Sequence, residues 1–273
     1  MGEKRLNKKR VALKWVLSRT EMGRAFLIKR ALRRNAFGTH PFDAANNVQT
    51  SGAIPQYLLS PKQSMRTISR NETHPYFGCS PNCLRAALDQ MEDLAGTTFV
   101  DFGCGMGRAA IIASEYPFQS VIGVEISKDL SAIARRNART IRKSFPNRCG
   151  IEIINQDARS FHIDDTNLVI FIYNPFGPDL IKIIMMRLES IIQAGYSVHI
   201  IYQNPVYFNI LDEFDAFERY FGGQIKCDPA ERPQMFDNDD AIVVWRPKSA
   251  TYPANDKFDI RVITAGTRAE LVF

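Results

Sequence analysis

The sequence predicts an α/β protein built on a mainly parallel β-sheet with helices on both faces. Apolar runs of strand length recur along the chain, and helical patterns stand between most of them. These runs lie at residues 97–102, 120–126, 150–155, 167–173, 197–203 and 240–245. Strands that alternate with helices form βαβ units, which place the strands parallel. A chain of 273 residues is long enough for one such core with extensions.

The N-terminal segment, residues 1–34, is predicted to form one or two basic helices. It contains twelve basic and two acidic side chains, a net +10, whereas the rest of the chain has 23 basic and 27 acidic side chains, a net −4. Apolar residues recur in it at helical spacing, namely Leu13, Val16, Leu17, Met22, Phe26 and Leu32. Such a helix can meet a polyanion such as nucleic acid, an anionic membrane surface or an acidic partner. The alternative is an arm that packs a few apolar side chains on the main domain.

A polar segment near residues 35–60 is predicted to be a linker, and regular alternation begins after it. Ser80 and Pro81 supply an N-cap and a first-turn proline for a helix that ends by Gly96. A second helix, at 127–143, carries one apolar face formed by Leu130, Ile133, Ala134, Ala138 and Ile141. We therefore expect an extension and linker at 1–60 and a main domain at 61–248.

The closing segment, 249–273, is predicted to be a C-terminal extension with a strand pair around Ala265 and Gly266. No apolar run approaches 18 residues, so no membrane-spanning helix is predicted. The N-terminus lacks the apolar stretch of a secretory signal. Five cysteines at irregular spacing do not form a disulfide framework, which indicates a reducing compartment. We expect a cytoplasmic protein.

A run of alternating glycines marks the first candidate site. The stretch FVDFGCGMGRAA, residues 99–110, places Gly103, Gly105 and Gly107 directly after the first core strand. Glycines there let a ligand approach the main chain at the carboxyl edge of the sheet. The GxGxG spacing followed by Arg108 does not fit a dinucleotide fingerprint, and no Gly-Lys-Ser/Thr follows as a P-loop needs. Asp101, inside the strand, needs a partner such as a cationic amine.

Three further stations follow at the ends of later strands. Glu125 ends the next strand, where a carboxylate can accept both hydroxyls of a ribose. Asp157, in NQDARSF, lies at another carboxyl edge within reach of an adenine amine. The segment YNPFG, residues 173–177, follows the fourth strand. An acid at a strand end is often a helix cap or a surface residue, so the order and spacing of the stations carry the prediction.

The segments VDFGCGMGR, VIGVEIS, NQDA and YNPF resemble the class I S-adenosylmethionine-dependent methyltransferases. The resemblance runs from about Tyr76 to Asn204. It implies a Rossmann-like sheet of seven strands with an antiparallel last strand, for which DAIVVWRPK is the candidate. The residues of these motifs are most similar to those of a poorly characterised bacterial group of such enzymes. There is a looser likeness to class I protein-lysine methyltransferases, which share an upstream Tyr and an acid after the second strand.

The resemblance also implies roles for individual residues. The cofactor, S-adenosyl-L-methionine, is expected to be held by residues of the strand ends, with the methionine part on Asp101 and the glycine loop, the ribose on Glu125 and the adenine on the NQDA segment. In full, these positions are Asp101, Gly103, Cys104, Gly105, Gly107, Glu125, Asp157 and Ala158. Tyr76 and Phe77 are expected to cover the cofactor or the acceptor, and core packing is the alternative.

The triplet Asn174, Pro175 and Phe176 is the candidate for the chemistry. It is similar to NPPY-like signatures of amino-methyltransferases, in which the Asn oxygen accepts a hydrogen bond from the target amine. The single proline departs from that pattern, so a rigid turn with Phe176 as packing is the alternative. No metal is expected, because the histidines are scattered and Cys79 with Cys83 lacks two further ligands.

We therefore expect a methyltransferase that acts on a nitrogen of a protein side chain or of a nucleic acid. The alternative is a protein that binds S-adenosylmethionine without catalysis and serves as a partner or sensor. An NAD-linked oxidoreductase is disfavoured by the glycine spacing and by the lack of a Tyr-x-x-x-Lys or His–acid pair.

Overall fold

The fold is that of a computed structural model that describes residues 14, 16–33, 38–59, 75–164, 166–174, 176–231, 239–248, 259–264 and 267–272. Its helices are α1 (Glu21–Arg33), α2 (Pro41–Asn46), α3 (Gln56–Leu59), α4 (Pro81–Leu88), α5 (Arg108–Ala113), α6 (Lys128–Ser144), α7 (Pro178–Gln193) and α8 (Phe208–Asp212). Its strands are β1 (Thr98–Phe102), β2 (Ser120–Val124), β3 (Ile151–Ile154), β4 (Leu168–Ile172), β5 (Val198–Gln203), β6 (Phe217–Lys226), β7 (Asp239–Pro247), β8 (Asp259–Thr264) and β9 (Thr267–Val272).

Seven strands form one sheet in the order β3-β2-β1-β4-β5-β7-β6. Strands β1 to β5 pair in parallel, and β7 runs antiparallel to both β5 and β6. The predicted seven-stranded, mainly parallel sheet is confirmed, and the segment DAIVVWRPK forms its antiparallel strand β7. All six predicted runs form strands of this sheet. Strand β6 was missed because it is a partly exposed edge strand with charged residues and two glycines, so it contains no apolar run.

The sheet is covered on both faces, which explains its apolar strands. One core lies between the sheet and helices α7 and α8. The other core lies between the opposite face and helices α4 and α5. Alternate residues of each strand serve the two cores, as Phe99 and Phe102 of β1 do. Because β1, β2, β4 and β5 are parallel, their carboxyl ends meet at one edge of the sheet, where the candidate site residues lie.

The two predicted helices, one identified by its cap and one by its apolar face, both form, with one change in length. Ser127 accepts a hydrogen bond from the Leu130 N–H and begins α6, as predicted. Ser80 caps α4 with Pro81 in its first turn, but α4 ends at Leu88 and not near Gly96. A turn at Asp89 and Gln90 follows the helix, Asp93 has a left-handed φ of 54°, and Leu94 is buried in the second core.

Helix α1 packs on the main domain, and of the predicted apolar residues it buries Leu32 but not Met22 or Phe26. Leu27, Ile28 and Leu32 are buried in a core that also contains Leu130 and Ile133 of α6. By contrast, Met22 is 86% exposed and Phe26 is 55% exposed. Two apolar stripes run along this helix, and its neighbours decide which one is buried. Residues 1–13, including Leu13, lie outside the described residues.

The segment predicted as a linker contains α2 and α3, and α2 packs Phe42 into the second core. The predicted boundaries at residues 60 and 248 stay predictions. Strands β8 and β9 pair antiparallel, with Thr264 opposite Thr267, so the predicted C-terminal strand pair is confirmed. Within the described parts of the chain, no helix has the length and apolar content needed to cross a bilayer.

Candidate functional site

The glycine loop after β1 has a backbone that favours glycine at every second position. Gly103, Gly105 and Gly107 have φ values of 77°, 54° and 86°, a region that costs residues with a Cβ energy. The N–H groups of Gly103 and Cys104 donate to the Val124 carbonyl at 2.8 and 3.1 Å. The loop is therefore tied to the end of β2, next to Glu125.

Tyr76 covers this loop. A Cβ on Gly105 would overlap the Tyr76 ring, so ring and loop backbone lie in direct contact. The Tyr76 hydroxyl donates to the Thr50 carbonyl at 2.7 Å, which fixes the ring. Phe77, the next residue, is partly exposed. A role of either aromatic side chain against cofactor or acceptor stays a prediction.

Asp101 is a buried carboxyl group without a neutralising partner. It lies in β1 between Gly123 of β2 and Phe171 of β4, and it is 3% exposed. Burial, and next the charge of Glu125, raise its pKa well above the ordinary value. Within the described residues it has no hydrogen-bond or ion-pair partner. A buried carboxyl of this kind fits a ligand that brings a cationic amine.

Glu125 is held in place by main-chain donors. Its carboxylate accepts hydrogen bonds from the Gly105 N–H at 2.9 Å and the Ser127 N–H at 2.6 Å. Burial raises its pKa to about 7, although the hydrogen bonds from Ser127, Gly105 and Ile126 oppose that rise. A carboxylate has about four lone-pair sites, so these three donors leave one of them for a ligand hydroxyl. Asp101 and Glu125 are thus brought together at adjacent strand ends.

The remaining cofactor positions differ in how open they are. The Cys104 side chain packs with Ala134 and Ile153, and burial raises the pKa of its thiol, which suits a small filler. Asp157 is half-buried, and although burial raises its pKa, hydrogen bonds from Arg159 outweigh this and lower it. An adenine amine would share that carboxylate with Arg159. Ala158 is buried in the first core.

A buried network beside the loop was not found from the sequence. Arg108, the first residue of α5, is 4% exposed. Its Nε donates to Thr50 Oγ1 at 2.7 Å and its Nη1 to the Cys79 carbonyl at 3.0 Å. Asp43 in turn accepts from the N–H groups of Thr50 and Ser51, both at 2.8 Å. Residues from the predicted linker therefore fix the first turn of α5.

Only helix α2, which contributes Asp43 to that network, left a local signal in the sequence. His40 accepts a hydrogen bond from the Phe42 N–H and caps α2, with Pro41 in the first turn. The first-turn proline matches Pro81 of α4, but histidine is not among the residues preferred at a helix N-cap. The proline alone was a weak signal for α2, and nothing in the segment indicated the contact with Arg108.

The acceptor-side candidates lie beyond β4. Asn174 has a left-handed φ of 43°, and its Oδ1 accepts a hydrogen bond from the Tyr202 hydroxyl at 2.9 Å. Phe176 is buried in the first core, which agrees with packing, so a role under the acceptor stays a prediction. Pro175 lies outside the described residues.

The end of β5 repeats this geometry. Asn204, the first residue after β5, also has a left-handed φ, of 48°. Beside it, Gln203 donates a hydrogen bond to Asp240 of β7, and its buried Oε1 has no partner among the described residues.

No group of three or more His, Cys, Asp or Glu residues in the described part of the chain is arranged to hold a metal ion.

The strand order, the glycine loop after β1 and the acids at the ends of β1 and β2 agree with the resemblance to the class I S-adenosylmethionine-dependent methyltransferases. Comparison with known families agrees, since a family profile described as a methyltransferase domain matches residues 99–184. This region spans β1 to the first half of α7 and contains the four predicted stations.

One curated relative is the ribosomal protein L11 methyltransferase of Alteromonas mediterranea. It is 42% identical over 67 residues, which cover 24% of this chain and 21% of the relative. The chain thus matches about a fifth of the relative's length.

Two solved structures are distant. The ribosomal protein L11 methylase from Lactobacillus delbrueckii subsp. bulgaricus has a TM-score of 0.44 at 16% identity, over 63% of this chain and 81% of that chain. The tRNA (uracil-54, C5)-methyltransferase from Pyrococcus abyssi, in complex with S-adenosyl-L-homocysteine, has a TM-score of 0.44 at 18% identity, over 60% and 37%. Neither likeness identifies an acceptor.

Proposed function

We propose that this chain is a methyltransferase that transfers the methyl group of S-adenosylmethionine to a nitrogen on a protein side chain or a nucleic acid. The observation that carries the proposal is the pairing of two neighbouring strand ends. Asp101 at β1 offers an unpartnered buried carboxyl to a cofactor amine, and Asn174 after β4 offers an oriented amide oxygen to an acceptor. The name of the relative from Alteromonas supports keeping protein side chains among the acceptors.

The residues present fit S-adenosylmethionine. Asp101 would take its ammonium group, the glycine loop its methionine backbone, Glu125 its ribose hydroxyls and Asp157 its adenine amine. When bound, this cofactor supplies a methyl group on a sulfonium, which an aligned nucleophile displaces. The chain's own task is therefore alignment and stabilisation of developing charge.

Asn174 is the residue that would serve the acceptor nitrogen. A carbonyl oxygen has two lone pairs, and the Tyr202 hydroxyl uses one of them, so the second can accept from an N–H of the acceptor. That hydrogen bond strengthens as the nitrogen becomes positive, which stabilises the transition state more than the ground state. Tyr202 is a positioning residue in this scheme, because it acts on the orientation of Asn174.

The test is transfer of a radiolabelled methyl group from S-adenosylmethionine to fractionated cell extract, followed by nuclease or protease digestion of the product. Asn174→Ala should lower turnover by about 10²–10³-fold, the loss typical of one preorganised contact, with cofactor affinity nearly unchanged. Asn47→Ala is the matched control, because exposed Asn47 has a similar φ of 53° and carries the same backbone strain. Equal turnover of Asn174→Ala and wild type would favour the turn interpretation.

The rival function is cofactor binding without transfer. It predicts normal affinity for S-adenosylmethionine and no labelled product from any fraction, with wild type and variant alike.

We also propose, from the charge of residues 1–34, that the N-terminal segment contacts a polyanion. The charge distribution of the main domain extends that idea to a second element.

A further inference from the structure

Helix α6 concentrates positive charge in a domain that is otherwise acidic. Its 17 residues contain six basic side chains and one acid, Asp129, a net +5. Outside α6 and residues 1–34, the chain holds 17 basic and 26 acidic side chains, a net −9. The basic residues are Lys128, Arg135, Arg136, Arg139, Arg142 and Lys143. Clustering of this kind marks a surface that attracts a polyanion.

These cations face outward, and most are unpaired. The apolar face of α6 is buried through Leu130, Ile133 and Ile141. On the opposite side, four exposed cations make no ion pair or side-chain hydrogen bond with another described residue, namely Arg136, Arg139, Arg142 and Lys143. Spacings of three and four residues align Arg136, Arg139 and Lys143 along one stripe. Like charges in such a stripe repel, and bound phosphates would relieve that repulsion.

The exposed face of α1 adjoins this surface. Leu27 and Ile28 of α1 share a core with Leu130 of α6. Lys128 Nζ lies 2.6 Å from Glu21 Oε1, so the first turns of the two helices are also joined at the surface. The outward side of α1 carries exposed cations and two exposed large apolar side chains, namely Lys29, Arg30, Arg33, Met22 and Phe26.

We propose that the outward faces of α6 and α1 together bind single-stranded RNA. Phe26 is 55% exposed, and Tyr57 of α3, which contacts α1, is 54% exposed. Aromatic rings beside cations stack with bases that are unpaired, as in RNA loops, and duplex bases are not accessible to them. A membrane is the poorer occupant, because the exposed large apolar side chains Met22 and Phe26 lie on α1 alone, and the described residues of α6 expose none.

The position of the surface relates it to the proposed function, on which this step rests. Helix α6 begins at Lys128, three residues after Glu125. The core shared by α1 and α6 also contains Met106 and Tyr76 of the glycine-loop region. RNA bound along these helices would run from the cofactor edge, where α6 begins, toward the opposite edge of the sheet, where β3 begins at Ile151. The acceptor nitrogen is then carried by the RNA or by a protein bound to it.

The test is the anisotropy of a fluorescent, unstructured RNA of about 20 nucleotides, titrated with the full chain saturated with S-adenosylhomocysteine. The variant Arg136→Gln/Arg139→Gln/Lys143→Gln removes three phosphate contacts. Counterion release predicts a loss of about 100-fold in affinity at about 0.1 M salt and a salt slope flatter by about 2 units. An unchanged melting temperature would show that the variant is folded.

The matched control is Lys182→Gln/Lys226→Gln/Lys248→Gln. It removes the same charge from three exposed lysines, on α7, at the end of β6 and after β7, whereas α6 packs against β3 at the opposite edge of the sheet. We expect its RNA affinity to lie within about twofold of wild type. Phe26→Ala should weaken binding by about fivefold or more through lost stacking, with the salt slope unchanged.

Four results would overturn the inference. These are an α6 variant that binds RNA like wild type, a control variant that loses as much affinity, equal affinity for a duplex of the same sequence, and binding to vesicles of phosphatidylserine and phosphatidylcholine in place of RNA. The measurement involves no turnover, so it fails separately from the proposed function. Asn174→Ala should bind RNA normally even where it transfers no methyl group.

Discussion

At Gly105, both the backbone conformation and the packing of neighbouring atoms oppose a Cβ atom. Its φ of 54° disfavours a Cβ, and a Cβ there would also overlap the Tyr76 ring. Gly105→Ala should therefore lower the free energy of unfolding by about 2–4 kcal/mol, the sum of a left-handed backbone cost and overpacking. Urea denaturation measures this loss, and calorimetry should show weakened binding of S-adenosylhomocysteine.

Two other glycines separate the causes. Gly96 has a φ of 79° with open space around it, so Gly96→Ala should cost only the backbone term, about 1 kcal/mol. Gly150 has open space and no such φ, so Gly150→Ala should cost almost nothing. If Gly105→Ala is no more destabilising than Gly96→Ala, the Tyr76 contact does not constrain the loop.

Glu125 should make stability depend on pH. Its pKa in the folded protein, about 7, lies above the ordinary 4.5, so the folded state holds this proton more tightly. Its contribution to the free energy of unfolding is on the order of 3 kcal/mol at most. This contribution is fully present below pH 4.5 and is lost as the pH rises through 7. Glu125→Gln cannot ionise, so its unfolding free energy should fall less over this range. Parallel profiles for both proteins would show that Glu125 titrates normally.

At the scale of the element, α1 has one structural and one exposed stripe. Ile28 is 2% exposed in the core shared with α6, so Ile28→Ala should cost about 2–4 kcal/mol of stability. Phe26 lies on the opposite stripe, so Phe26→Ala should lower the free energy of unfolding by less than about 0.5 kcal/mol. Thermal unfolding of the two variants makes the comparison. Two equally small effects would mean that α1 does not contribute to the fold.

At the scale of the whole molecule, the cofactor should stabilise the folded chain. At about 100 times its dissociation constant, a ligand adds about 2.7 kcal/mol, which corresponds to a melting shift of about 5–10 °C in a domain of this size. S-adenosylmethionine and S-adenosylhomocysteine should both produce the shift and NAD should not, because the glycine spacing and Arg108 do not fit a dinucleotide. The absence of a shift with millimolar sulfur ligand in folded protein would contradict the cofactor assignment.

The sequence by itself determined the sheet, the glycine loop and the acids at the strand ends. Strands that are buried on both faces are mostly apolar, and a left-handed backbone favours glycine at the position itself, so both leave a local pattern. Strand β6 left no such pattern, because an edge strand buries little and its register comes from β7.

Only the tertiary structure decided which stripe of α1 is buried, which groups bind Arg108 and what holds Asn174. Each depends on a partner far away in the sequence. Leu27 meets Leu130, Arg108 meets Thr50 across 58 residues, and Tyr202 reaches Asn174 across 28. Burial of a side chain and the partner of a polar group are properties of neighbours in space, and the spacing of residues along one segment does not contain them.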